Sequence, residues 1–243
     1  MGHEKVSHCV RIAKGSQACI TGSVDKTVKI WSLSDYECIN TLVGHTGAVK
    51  DIQQVDDIIV STSMQDKTIR FWNPISGENV HTVESKDGVT CLAVNSTHPS
   101  THLYFGTVSG KIFQWDVEAQ TSVYSQKITT GMIEGLNVFG DVIAASDYTR
   151  ISLTSMNDPN LECLSPMMDR SVGKIRYDGY RLGAQVGSKL DVFDIRYLFS
   201  RCGHISVDNQ WKGAFQFVDD KVAVGSGVGK LYKWKPDYSK RVP

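Results

Sequence analysis

A short turn followed by an alternating strand recurs six times along this 243-residue chain, and that period limits the fold more than any other feature. The segment Val24-Asp25-Lys26-Thr27-Val28-Lys29-Ile30-Trp31 matches Gln65-Asp66-Lys67-Thr68-Ile69-Arg70-Phe71-Trp72. Val108-Ser109-Gly110-Lys111-Ile112-Phe113-Gln114-Trp115 follows, then Ser146-Asp147-Tyr148-Thr149-Arg150-Ile151-Ser152-Leu153. Val186-Gly187-Ser188-Lys189-Leu190-Asp191-Val192-Phe193 and Gly227-Val228-Gly229-Lys230-Leu231-Tyr232-Lys233-Trp234 complete the set. The closing residues stand at 31, 72, 115, 153, 193 and 234, a spacing of about forty.

Each unit reads as strands. In the second, Val49 to Gln53, Ile58 to Ser63 and Thr68 to Trp72 alternate, and Glu78 to Val83 follows. Alternation at period two puts one face inward and one outward. Asp56-Asp57, Asp66-Lys67 and Ser76-Gly77 supply the turns between them. The unit is therefore expected to be a four-stranded antiparallel meander, and the chain all-β. A single meander leaves both faces wet; stacking consecutive sheets radially buries them. The units are placed at 6–45, 46–86, 87–129, 130–168, 169–206 and 207–243, as one domain.

In the first two units Gly2-His3 and Gly44-His45 precede the turn, which continues Asp-Lys-Thr to a closing Trp. With these residues the chain resembles the WD40-repeat family over essentially its whole length. The resemblance implies a WD40-type β-propeller of about six four-stranded blades. Either six blades close a ring by packing, or the chain is part of a seven-bladed propeller. It also implies a structural hydrogen-bonded set of His, turn Asp, a second-strand Ser or Thr, and Trp. Carried over, this is His3, Asp25, Thr21 or Ser23, and Trp31; then His45, Asp66, Ser61 or Ser63, and Trp72. Later units depart from the pattern. The third has Ser109 at the turn and Lys86-Asp87 in place of Gly-His, the fourth has Leu153 for Trp, and the fifth has Phe193. These units are expected to rely on apolar packing alone.

Charge and motifs exclude several functions. Lys plus Arg and Asp plus Glu both number 26, so the net charge of zero argues against nucleic acid, which needs a basic surplus. The six cysteines form no C-x-x-C pair and read as small apolar residues in a reducing compartment. No apolar run suggests a signal peptide or a membrane span, so an intracellular location, cytoplasmic or nuclear, is expected. Asn95-Ser96-Thr97 has the form of a glycosylation sequon but reads as polar loop. Gly225 to Leu231 imitates a phosphate-binding loop, yet lacks the earlier Gly, the Ser or Thr after Lys230, and a following helix. Asp56-Asp57 and Asp219-Asp220 look like paired carboxylates, but Gly140-Asp141 and Asp178-Gly179 recur at the same place in other units, which marks a turn. No metal set or nucleophile elbow is present, so neither catalysis, metal, cofactor nor small-molecule substrate is expected.

What the resemblance implies is a non-catalytic scaffold or adaptor that binds a partner protein or peptide. By family analogy the role extends to a ubiquitin-ligase substrate receptor. The contact face implied carries the residues leading into each first strand and those before each turn Asp: Lys5, Val24, Gln65, Val108, Met132, Arg170, Val186 and Trp211. Trp at an exposed loop is the residue type most enriched at binding hot spots, so Trp211 is its expected centre. The rival reading is a phosphoinositide- or RNA-binding propeller using Lys230, Lys233, Lys235, Lys240 and Arg241.

Overall fold

The computed structural model describes residues 2–13, 15, 17–95, 97, 102–157, 162–165, 168, 171–195, 200–206, 215–218, 221–225, 231–234 and 236. Its strands form five four-stranded sheets and one three-stranded sheet, each an antiparallel meander in chain order. The fold class is the expected all-β, propeller-type one. Among the described residues the sixth sheet has three strands, Phe215–Val218, Lys221–Gly225 and Leu231–Trp234. The expected last strand, Asp237 to Val242, lies outside the described residues.

The chain divides into two compact units, Met1–Lys127 and Ile128–Pro243, each holding three sheets. In the first unit the sheets are Ser7–Ile12 to Cys38–Leu42, Val49–Val55 to Asn79–Glu84, and Val89–Val94 to Thr121–Lys127. The first strand of the second sheet packs on the first two strands of the first sheet, and the third sheet follows suit. Cys9, Ile20, Val28, Ile30 and Leu42 of the first sheet thus meet Val49, Ile52, Ile59 and Trp72 of the second. A second cluster joins Val60, Ile69 and Phe71 to Leu92, Leu103 and Phe105. In the second unit Ala144, Ile151 and Leu153 pack on Val172, Ile175, Leu182 and Phe193. Leu190 and Val192 then meet Phe215 and Val222. Burying such aliphatic faces contributes roughly 25 cal/mol per Å² of apolar area removed from water, and this packing holds the sheets together.

Two irregularities repeat. The ladder slips between the first two strands at Ser7/Cys9, Val49/Asp51, Gly106/Thr107 and Val172/Ile175. It slips again opposite the closing aromatic, at Trp31, Trp72, Trp115 and Phe193. There the fourth strand holds one residue out of the ladder: Ile39, Val80, Val123 or Cys202. Such bulges raise the local twist and blunt an edge strand against pairing with another chain.

The register corrects one assignment. Trp31, Trp72, Trp115, Phe193 and Trp234 each pair with the second residue of the neighbouring strand: Cys19, Ile59, Leu103, Leu182 and Val222. In the fourth sheet that partner is Ile143, and it pairs with Thr154, not Leu153. A one-residue step reverses the face of a strand. Leu153 therefore packs toward the fifth sheet, and Thr154 holds the closing position.

Candidate functional site: the capped turns and their rim

In each sheet the turn between second and third strands and the links that enter and leave it lie at the same end, because the sheet is a meander; in the first sheet the segment before Ser7 lies there too. In the first two units a short local pattern builds that rim. Asp25 Oδ1 accepts from the Thr27 N–H at 3.0 Å and its hydroxyl at 2.6 Å. Asp66 Oδ1 does the same for Thr68, at 2.9 and 2.8 Å. An Asp two residues before a Thr can close this loop on itself, which is why these residues form turns. Lys26 and Lys67, between Asp and Thr, take up the left-handed backbone that results, with φ of 74° and 58°.

The other carboxylate oxygen reaches across to the histidine. His3 Nδ1 lies 2.7 Å from Asp25 Oδ2, and its Nε2 lies 2.7 Å from Thr21 Oγ1, which also accepts the Trp31 indole N–H at 2.7 Å. In the second unit His45 Nδ1 lies 2.8 Å from Asp66 Oδ2. Its Nε2 lies 2.8 Å from Ser61 Oγ, which accepts from the Trp72 indole at 2.8 Å. Of the alternatives open in the sequence, the structure uses Thr21 over Ser23 and Ser61 over Ser63. Ser23 instead donates to the Val6 carbonyl at 3.0 Å. The order of donors fixes the ring: Nδ1–H donates to the carboxylate, and Nε2 accepts the hydroxyl proton. Each buried polar group then has a partner.

Burial pushes the His45 ring below its ordinary range, and this outweighs the pull of Asp66 in the other direction. Burial raises Asp66, but the hydroxyl of Thr68, the His45 ring and the Thr68 N–H lower it more, and the net shift is downward. Asp25 behaves likewise, with Thr27 the main lowering partner, and ends well below the carboxylate range. The His45 imidazole held against the Asp66 carboxylate, both with fixed partners, stiffens this part of the rim.

The third and fourth sheets do not rely on apolar packing alone, which corrects the expectation. Asp87, at the link where the first two units have Gly-His, accepts the Ser109 N–H at 2.8 Å and its own neighbour Gly88 N–H at 2.8 Å. Burial raises Asp87, yet the Ser109 hydroxyl and N–H bring it down overall. The carboxylate has moved from the turn to the link but caps the same turn. Asp147 accepts from Thr149 N–H, Thr149 hydroxyl and Arg150 N–H at 2.8–2.9 Å, with no imidazole partner. The sequence carried that signal in Asp147-Tyr148-Thr149, which repeats Asp66-Lys67-Thr68.

Of the residues assigned to a partner face, Lys5 and Gln65 are exposed, and Val24 and Met132 are half-buried. The Gln65 side-chain carbonyl accepts the Ala48 N–H at 2.8 Å, which ties turn to link. Val108 is 39% exposed. Val186 is a correction: at 8% exposure it is buried against the fourth sheet, because a two-residue turn, Gly187-Ser188, brings it into the ladder opposite Lys189. Arg170 and Trp211 lie outside the described residues, as do Lys230, Lys235, Lys240 and Arg241. Sequence reasoning missed Val6 and Val43, which stand on the same rim at 70% and 71% exposure. Asn95 is buried, and its Oδ1 accepts from the Thr97 N–H and hydroxyl. Among the described residues no group of His, Cys, Asp and Glu is arranged to hold a metal ion. No helix there is long and apolar enough to cross a membrane.

Comparison with known proteins adds the family. The model for the WD domain, G-beta repeat, matches residues 1–32 and 36–73. The chain is 32% identical over 127 residues to pre-mRNA-processing factor 19 of Oryza sativa, covering 50% of this chain and 24% of that protein. It is 26% identical over 172 residues to a bromodomain and WD repeat-containing protein of Dictyostelium discoideum, covering 63% of this chain and 8% of the relative. With the nuclear distribution protein nudF of Aspergillus flavus it shares 30% identity over 91 residues, 36% of this chain and 20% of nudF. The chain thus spans a quarter or less of the length of these relatives. Residues 1–32 and 36–73 are thus two WD40 repeats, and the sheets that follow them repeat the same antiparallel meander of the β-propeller type of fold.

Proposed function

We propose that this chain is a non-catalytic interaction module that binds a partner protein or peptide on the rim of capped turns. The observation that carries the reading is the pairing of stiffness with exposed apolar surface. Asp25, Asp66 and Asp87 lock the turns, and between them Val6, Val43 and Val108 stand in solvent beside Lys5, Lys26, Lys67 and Lys86. Aliphatic side chains in a charged surround, held by a rigid scaffold, suit recognition of a protein surface. The imidazoles on this rim have both nitrogens engaged, which favours binding over acid–base chemistry. By analogy with the WD40 family, the module extends to an adaptor such as a ubiquitin-ligase substrate receptor.

The test is affinity purification of the full chain with mass spectrometry, run beside a Val43→Asp/Val108→Asp variant. Both positions are exposed, so the fold is expected to survive, which a circular dichroism melt checks. A partner lost by the variant supports the rim as the binding face. An unchanged partner set moves the interface elsewhere, and salt-sensitive capture of RNA or phosphoinositide vesicles in place of protein would favour the rival reading.

A further inference from the structure

The opposite end of the first unit holds a cleft that the capped turns do not explain. It opens between the first and second sheets, has a volume of about 570 Å³, and its walls include Ala18, Ile20, Ile30, Ile59 and Pro74. That is the size of a small-ligand or side-chain pocket. Its origin lies in two residues. By register Ala18 and Ile30 of the first sheet correspond to Ile58 and Phe71 of the second, since Ile20 pairs with Ile30 as Val60 pairs with Phe71. In the second sheet Phe71 and Ile58 fill the space against the third. In the first sheet an alanine and a shorter aliphatic leave it open.

The cleft is also held open. Asn40 Nδ2 donates to the Pro74 and Ile75 carbonyls at 3.2 and 3.3 Å, which clasps the 73–77 turn to the first sheet. Asn73 Oδ1 accepts from the Ile75 and Ser76 N–H groups, which fixes the turn itself. Ile75 stands at the mouth with 90% exposure, and Tyr36 on the neighbouring turn has 79%. Asp57 lines the cleft, and Asp35, Glu37, Asp56 and Glu78 are exposed on turns at the same end of these two sheets, an acidic excess over Lys14, which follows the lining residue Ala13 in the sequence. An apolar slot in an acidic collar fits one chemistry: an aliphatic side chain carried on a basic segment.

We propose that the cleft between the first and second sheets docks a basic peptide segment of a partner protein, with an aliphatic side chain in the slot and Lys or Arg on the Asp56-Asp57 collar. This site lies at the other end of the sheets from the rim of capped turns and does not rest on that assignment. The probe is an array of short fluorescein-labelled peptides, each with several Lys or Arg and one Leu, Ile, Met or Phe, read by fluorescence anisotropy against the full chain. Matched peptides carry Ser for the aliphatic residue, or Glu for the basic ones. The expected result is binding to basic aliphatic peptides alone, weakened as salt rises. Ala18→Ile/Ile30→Phe, which copies the filling of the next repeat, should cost about ten-fold in affinity, and so should Asp57→Lys. Ile75→Asp, at a 90% exposed position, should do the same without any demand on the core. Equal binding to the Ser peptides, preference for the Glu peptides, full affinity in the filled or Ile75→Asp variants, or no binding across the array would each overturn the proposal.

Discussion

Replacing Asp66 by Ala is the sharpest perturbation of the capped rim. The carboxylate serves the His45 ring, the Thr46 N–H, and both the N–H and hydroxyl of Thr68. The backbone donors lie near the surface and can turn to water. The His45 side chain is only 1% exposed and cannot, so its Nδ1–H is left without an acceptor. An orphaned buried donor costs about 1–3 kcal/mol, and the lost charge-assisted bonds add roughly 1–2 kcal/mol after water replaces part of them. The expected loss is about 3 kcal/mol, or roughly 6–12 °C in Tm for a chain of this size. Ser109→Ala is the control. Its backbone N–H still donates to Asp87, and the loss is confined to the hydroxyl's contacts with Asp87 and, at 3.3 Å, with Thr107, all near the surface. That change should cost less than about 1 kcal/mol. Differential scanning calorimetry on both variants decides the matter. A double-mutant cycle with His45→Phe should further show that most of the Asp66 loss vanishes once the imidazole is gone. Equal losses at Asp66 and Ser109, or full additivity in the cycle, would refute the hydrogen-bond account of the rim.

Three further outcomes follow from the same geometry. Trp72 is 1% exposed whereas Trp31 is half-buried, so Trp72→Ala should cost about 3–5 kcal/mol in urea unfolding and Trp31→Ala clearly less. Leu153→Ala should destabilise by about 2–4 kcal/mol, while Thr154→Val should be neutral or stabilising, because the Thr154 hydroxyl is buried without a hydrogen-bond partner; a costly Thr154→Val would contradict the register of the fourth sheet. Stability should fall on acidification in two steps. His45, lowered when folded, takes up its proton preferentially in the unfolded chain, so its contribution is complete above the ordinary value of 6.5 and is lost as pH falls from there toward its folded value. Asp25, Asp66 and Asp87, also lowered when folded, contribute fully above 3.8 and lose that contribution as pH falls through their folded values. Asp66→Asn should flatten the lower step in a pH series of melts, and a pH-independent melt between 7 and 5 in the native chain would contradict the burial assigned to His45.

The sequence by itself determined what depends on neighbours along the chain. The forty-residue period, the alternation that makes strands, and the Asp-x-Thr turns are local, and the structure places Ile58–Ser63 and Thr68–Trp72 at the limits read from their pattern. The His-Asp sets come together because a Gly-His twenty-odd residues before the turn lies one strand away in any such meander. Only the tertiary structure decided what depends on the sheet next door. The fourth sheet's closing residue moved from Leu153 to Thr154, since a pattern of Ile-Ser-Leu-Thr-Ser offers no aromatic to fix the register and the neighbouring sheet chooses it. Val186 went inside because a shorter turn pulled it into the ladder. Asp87 took over the capping of Ser109 from the opposite side of the loop. The cleft beside Ala18 is of this kind too. An alanine reads in sequence as one more small strand residue, and becomes a void only when the sheet facing it fails to supply the missing volume.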